Sequence, residues 1–339
     1  MLRPAFSMTI PVFSARDIET AVSPHEAYDA VRDAFVAYAR GAWSMPPKVY
    51  VTNYPAGDFR AMPAIGGGHA LLKWVTSFPG NPARGLPTVT GLVLLSDADN
   101  GRLLAVLEAA AVTALRTAAA GVLAADTLCR PEASSYAVVG CGVNGAEAAR
   151  MLVAHGVTPI VWDVDENRCR VVADRLGARV AASAAEALAC EVVLTVTPGF
   201  DVLYPAGSLE PGQHVSLMGA DGPGKAEVAV EELSRALLFC DDWEQNEPNG
   251  ISSPRLRLFC DDWEQASHGG ELTGAVDAGL IARDDVTQLG DVLAGMASGR
   301  QHDDDITLFD STGLAIQDLA IAKAALSRAD ELDLPKLDL

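Results

Sequence analysis

Tyr136-Ala-Val-Val-Gly140-Cys-Gly142-Val-Asn-Gly145-Ala-Glu-Ala-Ala-Arg150 is the stretch that decides the fold. An apolar run typical of a β-strand ends at Gly140, and a helical pattern follows. The glycines have the spacing GxGxxG, which permits a tight turn, lets the backbone approach a pyrophosphate and seats the helix close to the strand. Backbone amides at the helix N-terminus, those of Val143 and Asn144 among them, would then face the phosphates.

A second strand pattern narrows the identity of the dinucleotide. Ile160-Val-Trp-Asp163 ends in an acidic residue roughly 20 residues beyond the glycines, where this motif places its ribose ligand. A carboxylate there accepts hydrogen bonds from both ribose hydroxyls and repels a 2′-phosphate. Asp163 therefore favours NAD over NADP as the cofactor.

Composition excludes several classes of protein. The chain has 339 residues, enough for two domains, and 49% of them are hydrophobic, as in a globular protein. The formal net charge of −20 disfavours a nucleic-acid or anionic-membrane partner. We expect no membrane-spanning segment, because no apolar run has the length needed to cross a bilayer.

Cysteine and histidine usage predicts neither disulfides nor a metal site. The six cysteines form no CxxC pair, and the six histidines form no HxxxH or mixed Cys/His cluster. We therefore expect reduced thiols, a cytoplasmic location and no bound metal.

The order of the patterns predicts an α/β fold with two parts. Helical patterns at 14–40 precede a run of strands broken by Gly and Pro over 46–108, and an alanine-rich helix follows at 109–128. From Ser134 strands alternate with helices, which is typical of a doubly wound parallel sheet. An amphipathic helix is predicted over 313–329.

An eight-residue segment occurs twice, letter for letter. Leu238-Phe-Cys-Asp-Asp-Trp-Glu-Gln245 recurs as Leu258 to Gln265, offset by 20 residues. No third copy exists, so this is a local duplication and not a solenoid repeat. We expect 246–265 to be an insertion and one copy to form an edge strand of the sheet; the sequence leaves open which copy does so.

Four cationic side chains stand out in the N-terminal strand region: Lys48, Arg60, Lys73 and Arg116. Lys73 lies inside an apolar strand pattern, where burial is costly without an anionic partner, so a functional role is favoured. Lys48 and Arg60, taken singly, read as solvated charges; with Lys73 they would form an anion pocket for a substrate carboxylate. Asp221 follows a predicted parallel strand, and on spacing alone a turn-forming and a catalytic role are equally favoured.

Taken together, these motifs resemble the ornithine cyclodeaminase/mu-crystallin family over nearly the whole chain. Matching stretches are Met45-Pro-Pro-Lys48, Ala61-Met-Pro63, Lys73-Trp-Val75, Pro79 to Pro82, Gly85 to Val89, Leu115-Arg116-Thr117, Gly140 to Gly145, Gly219 to Lys225, His268-Gly-Gly-Glu271 and Phe309 to Asp318. Within the family, these motifs are most similar to those of archaeal-type alanine dehydrogenases.

The resemblance implies an architecture and a set of site residues. It implies a Rossmann domain at 125–312, and a substrate-binding and dimerisation domain formed by 1–124 with 313–339. It makes Lys73 the catalytic lysine and Asp221 the general acid/base, with Lys48, Arg60 and Arg116 at the substrate. At the cofactor we expect Thr88, Thr117, Gly140, Gly142, Val143, Asn144, Gly145, Asp163, Thr197 and Gly219.

Several activities remain open within this resemblance. Arg60 stands where ornithine cyclodeaminases carry a glutamate, and a cation there disfavours a diamine, so we expect reversible deamination of L-alanine by a homodimer. Ornithine cyclodeamination and cyclic-imine (ketimine) reduction are the alternative reactions. A dinucleotide-dependent binding protein of the mu-crystallin type is the alternative without catalysis.

Overall fold

The computed structural model describes residues 9–219, 224–234 and 256–339. The chain divides into two compact units, one formed by 1–116 with 314–339 and the other by 117–313. Helix α3 (Ala109–Leu128) spans the division, and the boundary expected after residue 124 falls inside this helix.

The first unit is a seven-stranded sheet covered by helices. Its strands have the order β15-β1-β6-β5-β4-β3-β2, and all neighbours are antiparallel except β1 and β6. The elements are β1 (Thr9–Phe13), α1 (Ala15–Ala21), α2 (Pro24–Ala39), β2 (Val49–Asn53), β3 (Gly57–Gly66), β4 (His69–Ser77), β5 (Val89–Asp97), β6 (Leu103–Glu108), α11 (Ala315–Ser327) and β15 (Lys336–Asp338).

Helices α1 and α2 each begin after a serine that caps them. Ser23 caps α2 in a reciprocal arrangement with Glu26, and Pro24 occupies the first helical position. The two short strands β1 and β15, which pair at one edge of the sheet, were missed by the sequence analysis. Strand β15 has only three residues, and β1 contains Pro11, which argues against a strand in a sequence pattern.

The second unit contains an eight-stranded parallel sheet with the order β13-β12-β14-β11-β10-β7-β8-β9. In this sheet the chain enters at β7 and continues outward through β8 and β9. It then returns to form β10 on the opposite side of β7, which confirms the doubly wound prediction. The elements are β7 (Tyr136–Val139), α4 (Val143–Ala154), β8 (Ile160–Trp162), α5 (Glu166–Leu176), β9 (Arg179–Val180), α6 (Ala184–Leu188), β10 (Val192–Thr195), β11 (His214–Leu217), α7 (Val230–Ser234), β12 (Leu256–Cys260), α8 (Trp263–Gly269), α9 (Thr273–Asp277), β13 (Val286–Gln288), α10 (Leu289–Leu293) and β14 (Ile306–Asp310).

Helix α3 corrects one expectation. It has 20 residues, and by length and composition alone it is sufficient to cross a membrane. Within the protein, however, 78% of the apolar 18-residue stretch of this helix is buried. The alanine-rich helix predicted at 109–128 is buried on nearly all sides, as is typical of a helix inside a protein core.

The structure resolves which copy of the duplicated segment enters the sheet. The second copy supplies β12, which pairs with β14 on one side and β13 on the other. The expected edge position is therefore wrong, because β13 adds a further strand beyond it. The first copy, 238–245, lies outside the described residues.

Asp261 shows what the second copy contributes. Its buried carboxylate accepts hydrogen bonds from the Gly313 amide (2.7 Å) and from the hydroxyls of Ser311 (3.2 Å) and Thr312 (3.1 Å). It thus fixes the turn that follows β14. Because the two copies are identical, deleting 238–257 or 246–265 yields the same polypeptide, in which a single Asp keeps this role.

The pair Asp261→Ala and Asp241→Ala tests this assignment with the same substitution in the same local sequence. We expect Asp261→Ala to lower the free energy of unfolding by about 3 kcal/mol, because it leaves several buried donors unpaired. Asp241→Ala is expected to change stability far less. Urea denaturation of both variants provides the measurement, and an equal loss in the two would contradict the assignment.

Candidate cofactor and substrate sites

The glycine-rich loop of the second unit has the geometry that the sequence predicts. Gly140 has φ +101°, and a Cβ there would lie 2.6 Å from the Val196 carbonyl oxygen. A Cβ on Gly145 would collide with the Gly140 carbonyl, so only glycine lets α4 pack on β7. A Cβ on Gly142 would meet nothing within 4 Å, which leaves the space that a pyrophosphate needs.

Helix α4 begins directly at this open space. Gly142 is its N-cap and contributes no side-chain hydrogen bond, so the first amides of the helix have no capping side chain. Val143 at the first position is 74% exposed. Twelve residues of aligned peptide dipoles favour an anion at this end. The residues therefore fit the phosphates of a dinucleotide.

Asp163 follows β8, next to the glycine-rich loop. One carboxylate oxygen accepts from the Cys141 amide (2.7 Å) and the other accepts from the Asp165 amide (2.8 Å). These bonds hold the carboxylate in one orientation, and each oxygen retains a further lone pair for a ribose hydroxyl. The position and orientation of Asp163 thus suit the ribose-binding role that the sequence predicts.

Thr197 and Gly219 follow β10 and β11 and are held together by a residue that the sequence analysis did not single out. Both Thr195 and Thr197 donate their hydroxyl protons to the carboxylate of Glu227, which is completely buried. A Cβ on Gly219 would lie 2.6 Å from the Thr197 carbonyl oxygen and 2.9 Å from the Glu227 carboxyl group. Burial raises the pKa of Glu227. The sequence feature that could have identified Glu227 is its position just after the matching stretch from Gly219 to Lys225.

Two further buried carboxyl groups connect the distant motifs of this unit. Glu271, from the His268-Gly-Gly-Glu271 stretch, accepts from the amides of Glu227 (2.8 Å) and Val228. Asp310, from the stretch that starts at Phe309, accepts from the Leu272 amide (3.3 Å). Burial raises the pKa of Glu271 to about 7 and that of Asp310 well above its usual range. Both groups fix loops at the carboxyl ends of strands.

Thr117 is the first residue of the second unit and lies within α3. It is buried, and its hydroxyl has no hydrogen-bond partner among the described residues. An unpaired buried hydroxyl is costly, so it is consistent with the predicted role in ligand binding.

In the first unit, Lys73 lies in β4 with its side chain only 1% exposed. Its Nζ is 2.9 Å from Oδ1 and 3.1 Å from Oδ2 of Asp318, a completely buried residue of α11. The Arg116 Nε lies 3.4 Å from the same Oδ1. Burial lowers the pKa of Lys73 to about 8, although the Asp318 carboxylate acts in the opposite direction.

Asp318 is the anionic partner that the burial of Lys73 demands. Asp318 ends one of the stretches that match the family, but the motif alone predicts no role for it. The sequence feature that could have identified Asp318 is its acidic side chain, because the other buried positions of this helix are almost all apolar. Gln317 beside it accepts from Arg116 Nη1 (3.4 Å), and its buried Nε2 has no partner among the described residues.

Arg60 lies in β3 and is paired with a carboxylate two residues earlier. Its Nε is 2.7 Å from Oδ1 of Asp58, and its Nη2 is 3.2 Å from Oδ2. Both side chains are buried, and the guanidinium lies over the Tyr50 ring at 5.4 Å from the centroid. Tyr54 also donates to Asp58 (3.3 Å). Asp58 was missed, although a spacing of two places it on the same face of the strand.

The remaining predicted residues are placed as follows. Lys48 is half-buried just before β2, and Thr88 is half-buried just before β5, where its carbonyl accepts from the Phe78 amide (2.8 Å). Both lie in the first unit. Asp221 lies outside the described residues, so its role stays a prediction. Among the described residues, no group of three or more His, Cys, Asp and Glu side chains is arranged to hold a metal ion.

Comparison with known proteins identifies the family. The profile of the ornithine cyclodeaminase/mu-crystallin family matches residues 10–332. The chain belongs to this family. An alanine dehydrogenase from Archaeoglobus fulgidus is 41% identical over 326 residues, which cover 94% of each protein. An ornithine cyclodeaminase from Agrobacterium tumefaciens is 31% identical over 294 residues, which cover 84% of this chain and 76% of that protein.

A solved structure supports the same conclusion. An archaeal alanine dehydrogenase dimer with bound NAD superposes with a TM-score of 0.86 at 38% identity, covering 97% of this chain and 99% of that one. The ornithine cyclodeaminase/mu-crystallin assignment therefore rests on sequence and fold alike. Because its members named here catalyse different reactions, membership alone does not choose the reaction.

Proposed function

We propose that this chain is an NAD-dependent amino-acid dehydrogenase that reversibly converts L-alanine to pyruvate and ammonia. The observation that carries the proposal is the buried Lys73, whose pKa of about 8 allows it to gain or lose a proton near neutral pH. A purely structural or ligand-binding protein has little use for such a group. The similarity to alanine dehydrogenase, at 41% identity, supports the choice of substrate.

NAD is the proposed cofactor because three features of the second unit fit it. Gly142 leaves room for the pyrophosphate, the start of α4 favours its charge, and Asp163 is oriented for the ribose hydroxyls. When bound, the nicotinamide accepts a hydride from the substrate. The catalytic task of the protein is then to bind the amino acid and to manage its protons.

The charged residues of the first unit supply these functions. In the oxidative direction, Lys48 and Arg60 hold the substrate carboxylate while the amine binds deprotonated. Loss of hydride from Cα leaves an iminium. Water adds to this carbon, and the resulting carbinolamine loses ammonia by cleavage of its C–N bond to give pyruvate. Lys73 transfers a proton at Nζ and stabilises negative charge that develops on oxygen. Asp221 is proposed as the base for water by resemblance to the family.

Arg60 is the proposed selectivity residue, and its pairing with Asp58 refines the argument. Two unit charges at about 4 Å interact by roughly 4 kcal/mol at an effective dielectric near 20, so an isolated cation there would strongly repel the side-chain amine of ornithine. The Asp58 carboxylate at 2.7 Å offsets part of this repulsion. The remaining preference comes from guanidinium N–H groups, which bind a carboxylate and cannot accept a hydrogen bond from an amine.

The first experiment measures NADH consumption with pyruvate and ammonium. It is run beside proline formation from L-ornithine with NAD and NADH consumption with a cyclic imine acid. We expect turnover with pyruvate and ammonium, and a loss of at least about 10²-fold in Lys73→Met because a proton-transfer group is removed. NADH binding, followed by fluorescence, should persist in this variant.

The other outcomes are equally informative. Proline formation without pyruvate turnover would assign the cyclodeaminase reaction, and turnover of the cyclic imine alone would assign an imine reductase. Wild-type activity in Lys73→Met would refute the catalytic role of Lys73. NADH binding with no activity toward any of the three substrates would favour a binding protein.

Reversing the charge at Arg60 tests selectivity, provided that Asp58 is changed with it. Arg60→Glu alone would place two buried carboxylates within ion-pair distance and cost stability. We expect Asp58→Asn/Arg60→Glu to fold, to lose about 10²- to 10³-fold in kcat/KM for L-alanine and to bind L-ornithine. Equilibrium dialysis with labelled ornithine measures the gain.

The control for this experiment is Arg102→Glu, which makes the same charge change at an exposed hairpin position. It should leave both kcat/KM and ornithine binding unchanged. A double variant that retains full activity with L-alanine would show that Arg60 does not bind the substrate carboxylate.

We propose that the protein is a homodimer formed through the exposed face of the first sheet. Large apolar side chains project from this face, opposite the face that packs on α11. Val49, Trp74 and Leu92 lie in one cross-strand row together with Ala61 and are 57%, 43% and 50% exposed. A continuous exposed apolar patch of this kind marks an interaction site.

Light scattering tests the dimer. The wild-type protein should have twice the 35.5 kDa mass of the chain, and Trp74→Glu/Leu92→Glu should have the mass of one chain, because charge would be buried in the interface. Val171→Glu, at an exposed valine of α5, is the matched control and should remain dimeric. A dimeric double variant would exclude this face.

A further inference from the structure

The pairing of Lys73 with Asp318 has a consequence beyond charge neutralisation. Both oxygens of Asp318 lie within 3.1 Å of the Lys73 Nζ, and both residues are almost completely excluded from solvent. A bidentate contact restricts the ammonium group to a narrow range of positions. The Lys73 side chain therefore populates fewer rotamers than an exposed lysine does.

The position of Asp318 is itself fixed by the start of α11. The Leu314 amide donates to the Gln317 side chain (3.2 Å), and the Ala315 amide lies 3.1 Å from the Met45 Sδ. Asp318 follows in the first turn of the helix, where its charge also suits the helix dipole. The carboxylate is thus presented to β4 by a rigid element.

The charged groups around Lys73 come from three elements of the first unit. Asp318 on α11 favours the charged ammonium, whereas Arg116 on α3 and Arg60 on β3 oppose it. Among the carboxylates described, Asp318 has the largest favourable effect on Lys73. Counting Lys73, Arg116, Arg60, Asp318 and Asp58, the cluster carries three positive and two negative charges, which leaves one positive charge for a substrate carboxylate.

We propose that Asp318 is the positioning residue of Lys73, holding its ammonium group in place and setting the pH range in which it exchanges a proton. The proposal rests on the proposed function in that it concerns the lysine used for catalysis. Arg116 shares the same carboxylate oxygen and counteracts Asp318, so the proton affinity of Lys73 reflects a balance between these two neighbours.

Two substitutions should shift the balance in opposite directions. Removing the carboxylate in Asp318→Asn leaves burial, Arg116 and Arg60, all of which lower the pKa of Lys73, so we expect it to fall by about one to three units from its value of about 8. Removing the cation in Arg116→Gln should raise this pKa. Simple loosening of the site would admit water and raise the pKa toward 10.5 in both variants.

Nuclear magnetic resonance of lysine labelled with ¹³C at Cε measures this directly, because the chain has only five lysines. Lys73→Met assigns the Lys73 signal, and its titration is compared in the wild type and the two variants. Lys323, on the same helix but over the Trp43 ring, serves as an internal control and should titrate identically in all three proteins. Asp333→Asn, at an exposed position, is the control variant.

The outcomes separate this proposal from the proposed function, because the titration needs neither substrate nor turnover. A lower Lys73 pKa in Asp318→Asn supports the proposal even if no substrate is turned over. An unchanged or higher pKa overturns it even in an active dehydrogenase. If Asp318→Asn does not fold, Asp318→Ser, which also removes the carboxylate, takes its place, and an unchanged or higher Lys73 pKa there overturns the proposal.

Activity gives a second readout. In an active enzyme, kcat measured as a function of pH should have a limb that reflects protonation of Lys73. In Asp318→Asn this limb should move to lower pH by the same number of units as the Lys73 pKa in the titration. Asp318→Glu keeps the charge and should return the limb toward its wild-type position. A purely structural role would lower kcat without moving the limb.

Discussion

The first unit depends on the burial of a charged lysine in an apolar sheet. Lys73 belongs to the face of β4 that packs on α11, where an ammonium group without a partner would be too costly to retain. Asp318 makes the arrangement possible from a position 245 residues away in sequence. The C-terminal helix therefore does more than complete the fold of the N-terminal sheet, because it supplies the charge that a proposed catalytic residue requires.

Buried carboxylates have a comparable role in the second unit, but their partners are mainly backbone amides and hydroxyls. Glu227, Glu271 and Asp261 each fix a loop at the carboxyl end of a parallel strand. The raised pKa values of Glu227 and Glu271 reflect burial that these hydrogen bonds only partly offset.

The duplicated segment contributes a strand to the parallel sheet through its second copy. The second copy keeps the register of β12 with both neighbours, and its Asp261 anchors the turn after β14. The strand is tightly constrained, because Leu258, Phe259 and Cys260 are all buried and slipping by one residue would move each side chain to the opposite face of the sheet.

The sequence by itself determined the doubly wound sheet, the glycine-rich turn, Asp163 and the anomaly of Lys73, because each is encoded in a local pattern of period, spacing or polarity. It also showed that Arg60 is unusual. Only the tertiary structure decided which carboxylates pair with these cations, since Asp318 reaches Lys73 through helix packing and Asp58 through the pleat of β3. Short strands such as β13, and the choice between two identical copies for β12, likewise depended on long-range pairing, because an identical local sequence cannot distinguish two positions in a sheet.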